Sequence, residues 1–503
     1  MPHGLPRMTE HKRMRLGDIL LMRELIAAEG LAAALERQRQ KRGRLGESIV
    51  ELGLMTPEQM SAVIDETPTR PLKLQQTGVN RAGLLGLMLK FISSDACETL
   101  PDLAARMKLP IGVLQELIDE TVAQHLVQVL GSMHLGIVRY IRYGLTDLGR
   151  SAAAEAFSRS QYLGPAPVSL TAFQEQVRKQ AVTNENFGEQ ALQEGFAGLI
   201  VPSNYVRKLL PAVRAGRTVL LYGAPGNGKT SIGKRIAALF RDLVYIPYAI
   251  EVNGQIIKMY DTGIHRTYDP GAPLPTPVPV TADTLQLETF DTRWVACRRP
   301  VAVAGGELTL EMLDLRYDAN TKFYDAPLHM KALNGLFLID DFGRQKVSPT
   351  EFLNRWIVPL ESRIDFLTLH TGQSFMIPFD ELVIFSTNLE PADLMDPAFL
   401  RRIPYKIELV GPTVDEYRRI FFAAAESYGL SISMATFDHV VQRLQAAGYA
   451  LAYFQPRFLC EQISQICNCF ALPPAITRDL ADEALANLYV DMKQPEIHSS
   501  ANC

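Results

Sequence analysis

The stretch that decides the fold is Gly223-Ala224-Pro225-Gly226-Asn227-Gly228-Lys229-Thr230. An apolar run, Thr218 to Tyr222, precedes it, and a helix-like segment, Ser231 to Phe240, follows. The spacing is that of a P-loop, in which a strand delivers a Gly-rich turn whose backbone N–H groups wrap phosphate oxygens. Gly226 and Gly228 admit backbone angles and a close approach that a side chain would forbid. The following helix points its positive end at the same anion. Gly223, Pro225, Gly226, Asn227, Gly228, Lys229, Thr230 and Ser231 are therefore the expected ATP-binding residues. Lys229 reaches the β- and γ-phosphates in this reading, and the Thr230 hydroxyl sits on Mg²⁺.

The rest of a nucleotide site has to follow in order along the chain. Leu336-Phe337-Leu338-Ile339-Asp340-Asp341 reads as a buried strand ending in two carboxylates. The first suits a metal's hydration shell, and the second suits polarising an attacking water. A buried strand ending in a polar turn would explain the apolar run but not the doubled acid. Leu382 to Asn388 is a second such run, ending in an amide able to orient water against a γ-phosphate.

In this order the segments resemble the AAA+ ATPases, over roughly residues 180 to 490. The resemblance makes Gly223 to Thr230 Walker A, Leu336 to Asp341 Walker B, and Asn388 sensor 1. Asp396-Pro397-Ala398-Phe399-Leu400-Arg401-Arg402 is similar to the arginine-finger segment, and Gln455-Pro456-Arg457-Phe458 to sensor 2 at the start of a lid helix. It implies catalytic roles for Asp341, Asn388, Arg401, Arg402 and Arg457, with Thr230 and Asp340 on the metal. It also implies a homo-hexamer or other ring, because the finger acts on a neighbour's γ-phosphate. For the two arginines, a solvated helix end is the plainer alternative.

The chain departs from that family twice. Asp341 stands where the family has Glu, one methylene shorter, and misplacing a catalytic group by about 1 Å can cost about a hundredfold. The separation of Lys229 from Asp340 also exceeds that of a minimal core. The surplus holds a Pro-rich stretch, Pro270 to Pro279, and β-like pieces around Trp294 to Leu313. It reads as a linker plus an inserted hairpin, or as carrying a substrate-gripping aromatic such as Tyr260.

The first seventy residues repeat at an offset of 29: Arg15-Leu16-Gly17 recurs as Arg44-Leu45-Gly46. The same step pairs Leu20 with Ile49, Ile26 with Met55, Leu31 with Met60 and Leu35 with Ile64, the apolar stripe of two helix pairs. Core packing accounts for the apolar positions. The recurring Arg and Gly suggest instead a planar fork for phosphate or guanine and a close backbone approach. The block resembles the N-terminal domain of type II secretion and type IV pilus assembly ATPases, including MshEN-type cyclic di-GMP receptors. That resemblance implies a cyclic di-GMP site at Arg15, Leu16, Gly17, Leu20, Arg44, Leu45, Gly46 and Ile49. The first unit matches through Gln38, whereas Thr67 replaces the second unit's terminal Gln.

Arg81 to Ile92, Leu100 to Met107 and Ile111 to Gln124 read as helices, with β-like runs at Leu126 to Leu130 and Val138 to Leu145. Over about residues 80 to 155 this resembles a winged helix. The candidate recognition helix carries Glu116, Asp119 and Glu120 and no Arg or Lys. Phosphate contacts supply most DNA affinity, so a protein contact is favoured over nucleic acid.

The formal net charge of −4 gives no global argument for nucleic acid. No stretch is apolar for long enough to span a bilayer, so no membrane insertion is expected. Six scattered cysteines suit reduced thiols and a cytoplasmic location, and the lone Cys467/Cys469 pair lacks the second pair a zinc site needs.

The expected fold is α/β: a P-loop AAA+ module of parallel sheet flanked by helices, with a helical lid, preceded by two small domains. The divisions are 1–70, the RLG repeat; 71–158, winged-helix-like; 159–180, a linker; 181–410, the core, with an insertion at about 250–330; and 411–503, the lid and tail. The expected function is Mg²⁺-dependent ATP hydrolysis that remodels a protein partner under cyclic di-GMP control, in a pilus or secretion setting on the N-terminal resemblance alone. Two rivals stay open: a DNA-binding transcription regulator, and a slow-turnover nucleotide switch.

Overall fold

The computed structural model describes residues 16–22, 25–41, 45–135, 138–184, 195–196, 203–240, 242–267 and 290–489. The Pro-rich stretch, Arg15, Arg44 and Cys503 lie outside them.

The molecule is α/β, built on a five-stranded parallel sheet flanked by helices. Its strand order is Tyr405–Glu408, Val219–Tyr222, Leu382–Thr387, Leu336–Ile339, Val301–Ala304. The strands read as continuous apolar runs because both faces are covered. Side chains alternate between the faces. Val219, Leu221, Leu336, Leu338 and Ile384 pack against Leu209 and Val213 of helix Ser203–Arg214 and Ile232 and Ile236 of helix Lys229–Ala237. Leu220, Phe337, Ile339, Val383 and Phe385 face Phe352, Trp356 and Leu360. The edge strand Val301–Ala304 falls within the span expected to be insertion, so that piece belongs to the sheet.

The insertion is more than a hairpin. Its own five-stranded sheet runs Arg316–Asp318, Phe323–Asp325, Gln255–Lys258, Ala249–Val252, Val168–Ser169. Tyr260, weighed as a substrate grip, is half-buried, with its ring stacked on His265 and edge-on to Tyr248.

The segment 159–180 is not a free linker. Val168–Ser169 pairs with Ile250–Glu251, and Ser169 caps helix Leu170–Lys179, which buries Phe173 and Val177 in the insertion's core. The Gly164-Pro165 breakers are real, but Phe173 and Val177 sit at i and i+4 and bring one apolar face down onto the sheet. Gln176 and Gln180 on the same side are also buried. Gln180 Nε2 donates to Asn334 Oδ1 at 2.8 Å, and Asn334 stands just before strand Leu336–Ile339 in the left-handed region, φ 61°.

The N-terminal repeat forms helices Leu16–Met22, Ala28–Lys41, Leu45–Glu51 and Pro57–Glu66. Leu20 and Ile49, Ile26 and Met55, and Leu31 and Met60 are all buried in one core. A Cβ on Gly17 would lie 2.9 Å from Leu31 Cδ1, and one on Gly46 would lie 3.4 Å from Met60 Sδ, the repeat-equivalent partner. Close helix packing thus crowds Gly17 without a ligand, whereas Gly46 is in ordinary contact with its neighbour.

Helices Arg81–Ser94, Leu100–Met107 and Ile111–Ala123 and the antiparallel hairpin Val127–Leu135/Val138–Leu145 follow, closed by helix Asp147–Arg159. Arg293 fastens this unit to the insertion. Paired with Asp291 in a buried site, it donates to the carbonyls of Thr77 at 3.2 Å and Pro167 at 3.1 Å. Beyond the sheet, helices Val414–Ser427, Met434–Ala446, Gln455–Phe470 and Arg478–Leu488 make a separate helical core.

Candidate nucleotide-binding site

The P-loop leaves strand Val219–Tyr222 through Gly223, φ 130°, where a Cβ would lie 2.5 Å from the Leu409 carbonyl. Gly228, φ 79°, then starts helix Lys229–Ala237 with no side-chain cap. The helix's first N–H groups are left for an anion, the arrangement a phosphate requires. Asn227 is buried, and its Nδ2 donates to the Leu409 carbonyl at 2.9 Å, tying the loop to the segment that leads into the lid. Lys229 is turned onto its own loop, donating to the carbonyls of Gly223 at 2.8 Å and Ala224 at 2.9 Å. Burial pushes the Lys229 ammonium down, opposed by the charges of Asp341 and Asp340. Pro225 and Ser231 lie in the loop and the first turn of the helix.

Thr230 and Asp340 meet. The Thr230 hydroxyl donates to Asp340 Oδ2 at 2.8 Å and lies 3.0 Å from Oδ1, although the strands that precede them, Val219–Tyr222 and Leu336–Ile339, are separated by Leu382–Thr387. A hydroxyl and a carboxylate are hard oxygen donors of the kind Mg²⁺ takes while keeping several waters. Among the described residues no group of three or more His, Cys, Asp and Glu forms a protein cage for a metal. The oxygen pair and the uncapped helix end fit a metal–nucleotide complex.

Asp341 and Asn388 also come together, with Asn388 Nδ2 donating to Asp341 Oδ1 at 3.2 Å. Asp341 adopts φ 50°, a left-handed conformation that an Asp tolerates better than most residues. The three candidate arginines differ. Arg402 donates to Glu361 Oε1 at 2.5 Å and to the Ala398 carbonyl at 2.9 Å, so it is held within its own subunit. Arg401, at the end of helix Pro397–Leu400, is exposed. Arg457 is exposed on the lid helix, where a hydrogen bond to Tyr428 raises its guanidinium further.

Several contacts had no sequence signal. The ring of Phe454, just before the lid helix, covers the P-loop: a Cβ on Gly226 would lie 2.2 Å from Phe454 Cδ1. Thr387 Oγ1 donates to the Phe342 carbonyl at 2.7 Å, joining the end of the Asn388 strand to the turn of Asp341. No local pattern marks such pairs, because their partners are set by the fold.

A family model described as a domain of unknown function, DUF8689, matches residues 413–487, the helical region after the sheet. No curated protein matches the chain. Among solved structures, the Thermotoga maritima RuvB Holliday junction branch migration motor is similar at 17% identity and a TM-score of 0.30, over 64% of this chain and 73% of that one. Brucella abortus NtrX in complex with ADP is similar at 12% identity and a TM-score of 0.36, over 66% of this chain and 64% of that one. At such scores neither likeness carries an argument about this chain.

Proposed function

We propose that the protein is an AAA+-type ATPase that hydrolyses Mg²⁺-ATP to remodel a protein partner. The observation that carries this reading is the meeting of Thr230 and Asp340 at the uncapped start of the P-loop helix. Lys229 exchanges its two loop carbonyls for phosphate oxygens, and Thr230 and Asp340 hold the metal's shell. Bound Mg²⁺ supplies charge neutralisation on the phosphates. Asp341, aimed by Asn388, accepts the proton of the attacking water. An ATPase assay on assembled protein with and without Mg²⁺ tests this, and a protein that binds ATP without turnover is the slow switch instead.

Arg401 reaches a neighbour's nucleotide in this reading, so the working unit is a ring, a hexamer by resemblance. Its exposure and the engagement of Arg402 within the subunit favour Arg401 as the finger. The helices and hairpin of about 80–155 act as a winged helix that contacts protein. On the candidate recognition helix, Glu116 accepts from the Leu74 N–H and Glu120 pairs with Arg81. The hairpin exposes Val129, Leu130, Met133 and Ile141. These apolar positions suit a protein partner better than a phosphate backbone. A DNA gel shift separates the transcription-regulator rival.

The paired RLG units are the regulatory module, with Arg15 and Arg44 taking cyclic di-GMP and a pilus or secretion assembly as the setting. The described cysteines Cys97, Cys297, Cys460, Cys467 and Cys469 are free thiols, which suits the cytoplasm. Among the described residues no helix is long and apolar enough to cross a membrane.

A further inference from the structure

Asp341 is a methylene shorter than the acid the reaction class favours, and it sits at φ 50°, a left-handed conformation that most L-residues avoid and Asp adopts at a smaller cost. Something has to hold it there. The chain turns back immediately after it: the Arg344 N–H donates to the Asp341 carbonyl at 3.0 Å, and Gly343 takes φ 101°. A Cβ on Gly343 would lie 2.5 Å from Leu394 Cδ2, so the turn is pressed against the chain that follows Asn388.

Two sets of bonds span this turn. From outside, the Phe342 N–H donates to the Ser386 carbonyl at 2.7 Å, and Thr387 Oγ1 donates to the Phe342 carbonyl. From inside, one side chain closes the loop with both ends of its amide. Gln345 Nε2 donates to the Asp340 carbonyl at 2.9 Å, and Gln345 Oε1 accepts from the Gly343 N–H at 2.7 Å. Its contacts thus bracket Asp341, one on the residue before it and one on the residue two places after. Only a side chain with a donor and an acceptor at this reach can do so. Glutamate, ionised, loses the donor, and alanine loses both.

We propose that Gln345 is a positioning residue for water activation: its amide fixes the left-handed turn that aims the short Asp341 carboxylate. Both of its amide bonds go to the backbone on either side of Asp341, and it acts through them. The inference rests on the ATPase reading above.

Steady-state ATP turnover, nucleotide affinity by calorimetry, and thermal melting of the full chain test it in the wild type, Gln345→Glu and Gln345→Ala. Displacement of a catalytic group by about 1 Å is the scale at stake, so kcat should fall about tenfold to a hundredfold in both variants. Affinity for Mg²⁺-ATP should stay at its wild-type value, and the melting temperature should fall by no more than a few degrees, the scale of two lost hydrogen bonds. A kcat within twofold of wild type overturns the proposal, as does a fall in kcat matched by lost affinity or by unfolding of both variants at the assay temperature. A wild-type protein that binds ATP and never turns it over ends the hydrolysis reading, and this one with it. A hydrolysing wild type matched by Gln345→Glu ends this one alone.

Discussion

Asn388 Nδ2 lies 3.2 Å from Asp341 Oδ1, so the amide ending one strand and the second acid following its neighbour share a hydrogen bond. Their strands are adjacent and parallel, with Ile339 opposite Phe385. The site thus holds two hydrogen-bonded pairs, Thr230 with Asp340 and Asp341 with Asn388; in the proposed mechanism the first takes the metal's shell and the second the attacking water.

Asp341→Asn is expected to keep ATP binding and lose turnover by about a hundredfold or more, since a positioned base contributes roughly 10²–10⁴-fold. Lys229→Ala is expected to abolish nucleotide binding. Calorimetry and a coupled ATPase assay separate the two effects. An Asp341→Asn variant that turns over at the wild-type rate removes Asp341 from the mechanism.

Arg401 and Arg402 should behave differently although they are neighbours. Arg401→Ala should lower turnover about a thousandfold, the scale of an arginine finger. Mixed into wild-type protein, it should poison more activity than its mole fraction. Arg402→Ala, which breaks the contact with Glu361, should act on stability more than on turnover. Specific activity that survives dilution to monomer would contradict the shared site.

The RLG units separate ligand binding from packing. Arg15→Ala should weaken cyclic di-GMP binding and leave the melting temperature unchanged. Gly17→Ala makes Leu31 shift while gaining helix propensity, so it should change the repeat's stability by no more than about 1 kcal/mol, and equally with and without ligand. Titration of the intact protein that shows no saturation at high micromolar cyclic di-GMP would leave a structural module only.

Glu381 is fully buried, and neither carboxylate oxygen has a hydrogen-bond partner among the described residues. Burial raises its carboxyl well above the usual 4.5; Arg363 opposes the shift, while Asp380 and Asp365 add to it. Above that usual value the unfolded chain releases a proton that the folded chain keeps, so stability falls as pH rises toward the folded value. Glu381→Gln is neutral in both states and lacks this loss. Its melting temperature relative to that of the wild type should therefore rise steadily as pH increases above the usual carboxylate range. Parallel curves for the two proteins would place the proton elsewhere.

Much of the site was legible because its parts are local. The P-loop, the acids after Ile339 and the amide after Thr387 each follow an apolar run, and a strand's end is where the chain leaves the sheet. The repeat was legible for a similar reason: an offset of 29 brings equivalent apolar residues to equivalent burial, as Leu20 and Ile49 show. The segment 159–180 misled because its breakers are contiguous, whereas Phe173 and Val177 declare themselves only against the sheet they bury.

The sequence by itself determined the phosphate loop, the order of the companion motifs and the register of the repeat, since each depends on spacing along one chain. Tertiary structure alone decided which groups meet. It set Thr230 on Asp340 across an intervening strand, engaged Arg402 while leaving Arg401 exposed, and laid Phe454 on Gly226. It also closed the Asp341 turn with Gln345 and joined Gln180 to Asn334 through 154 positions of chain. Such contacts follow from the packing of whole elements, and a buried polar group's partner is whatever the fold places within hydrogen-bond reach.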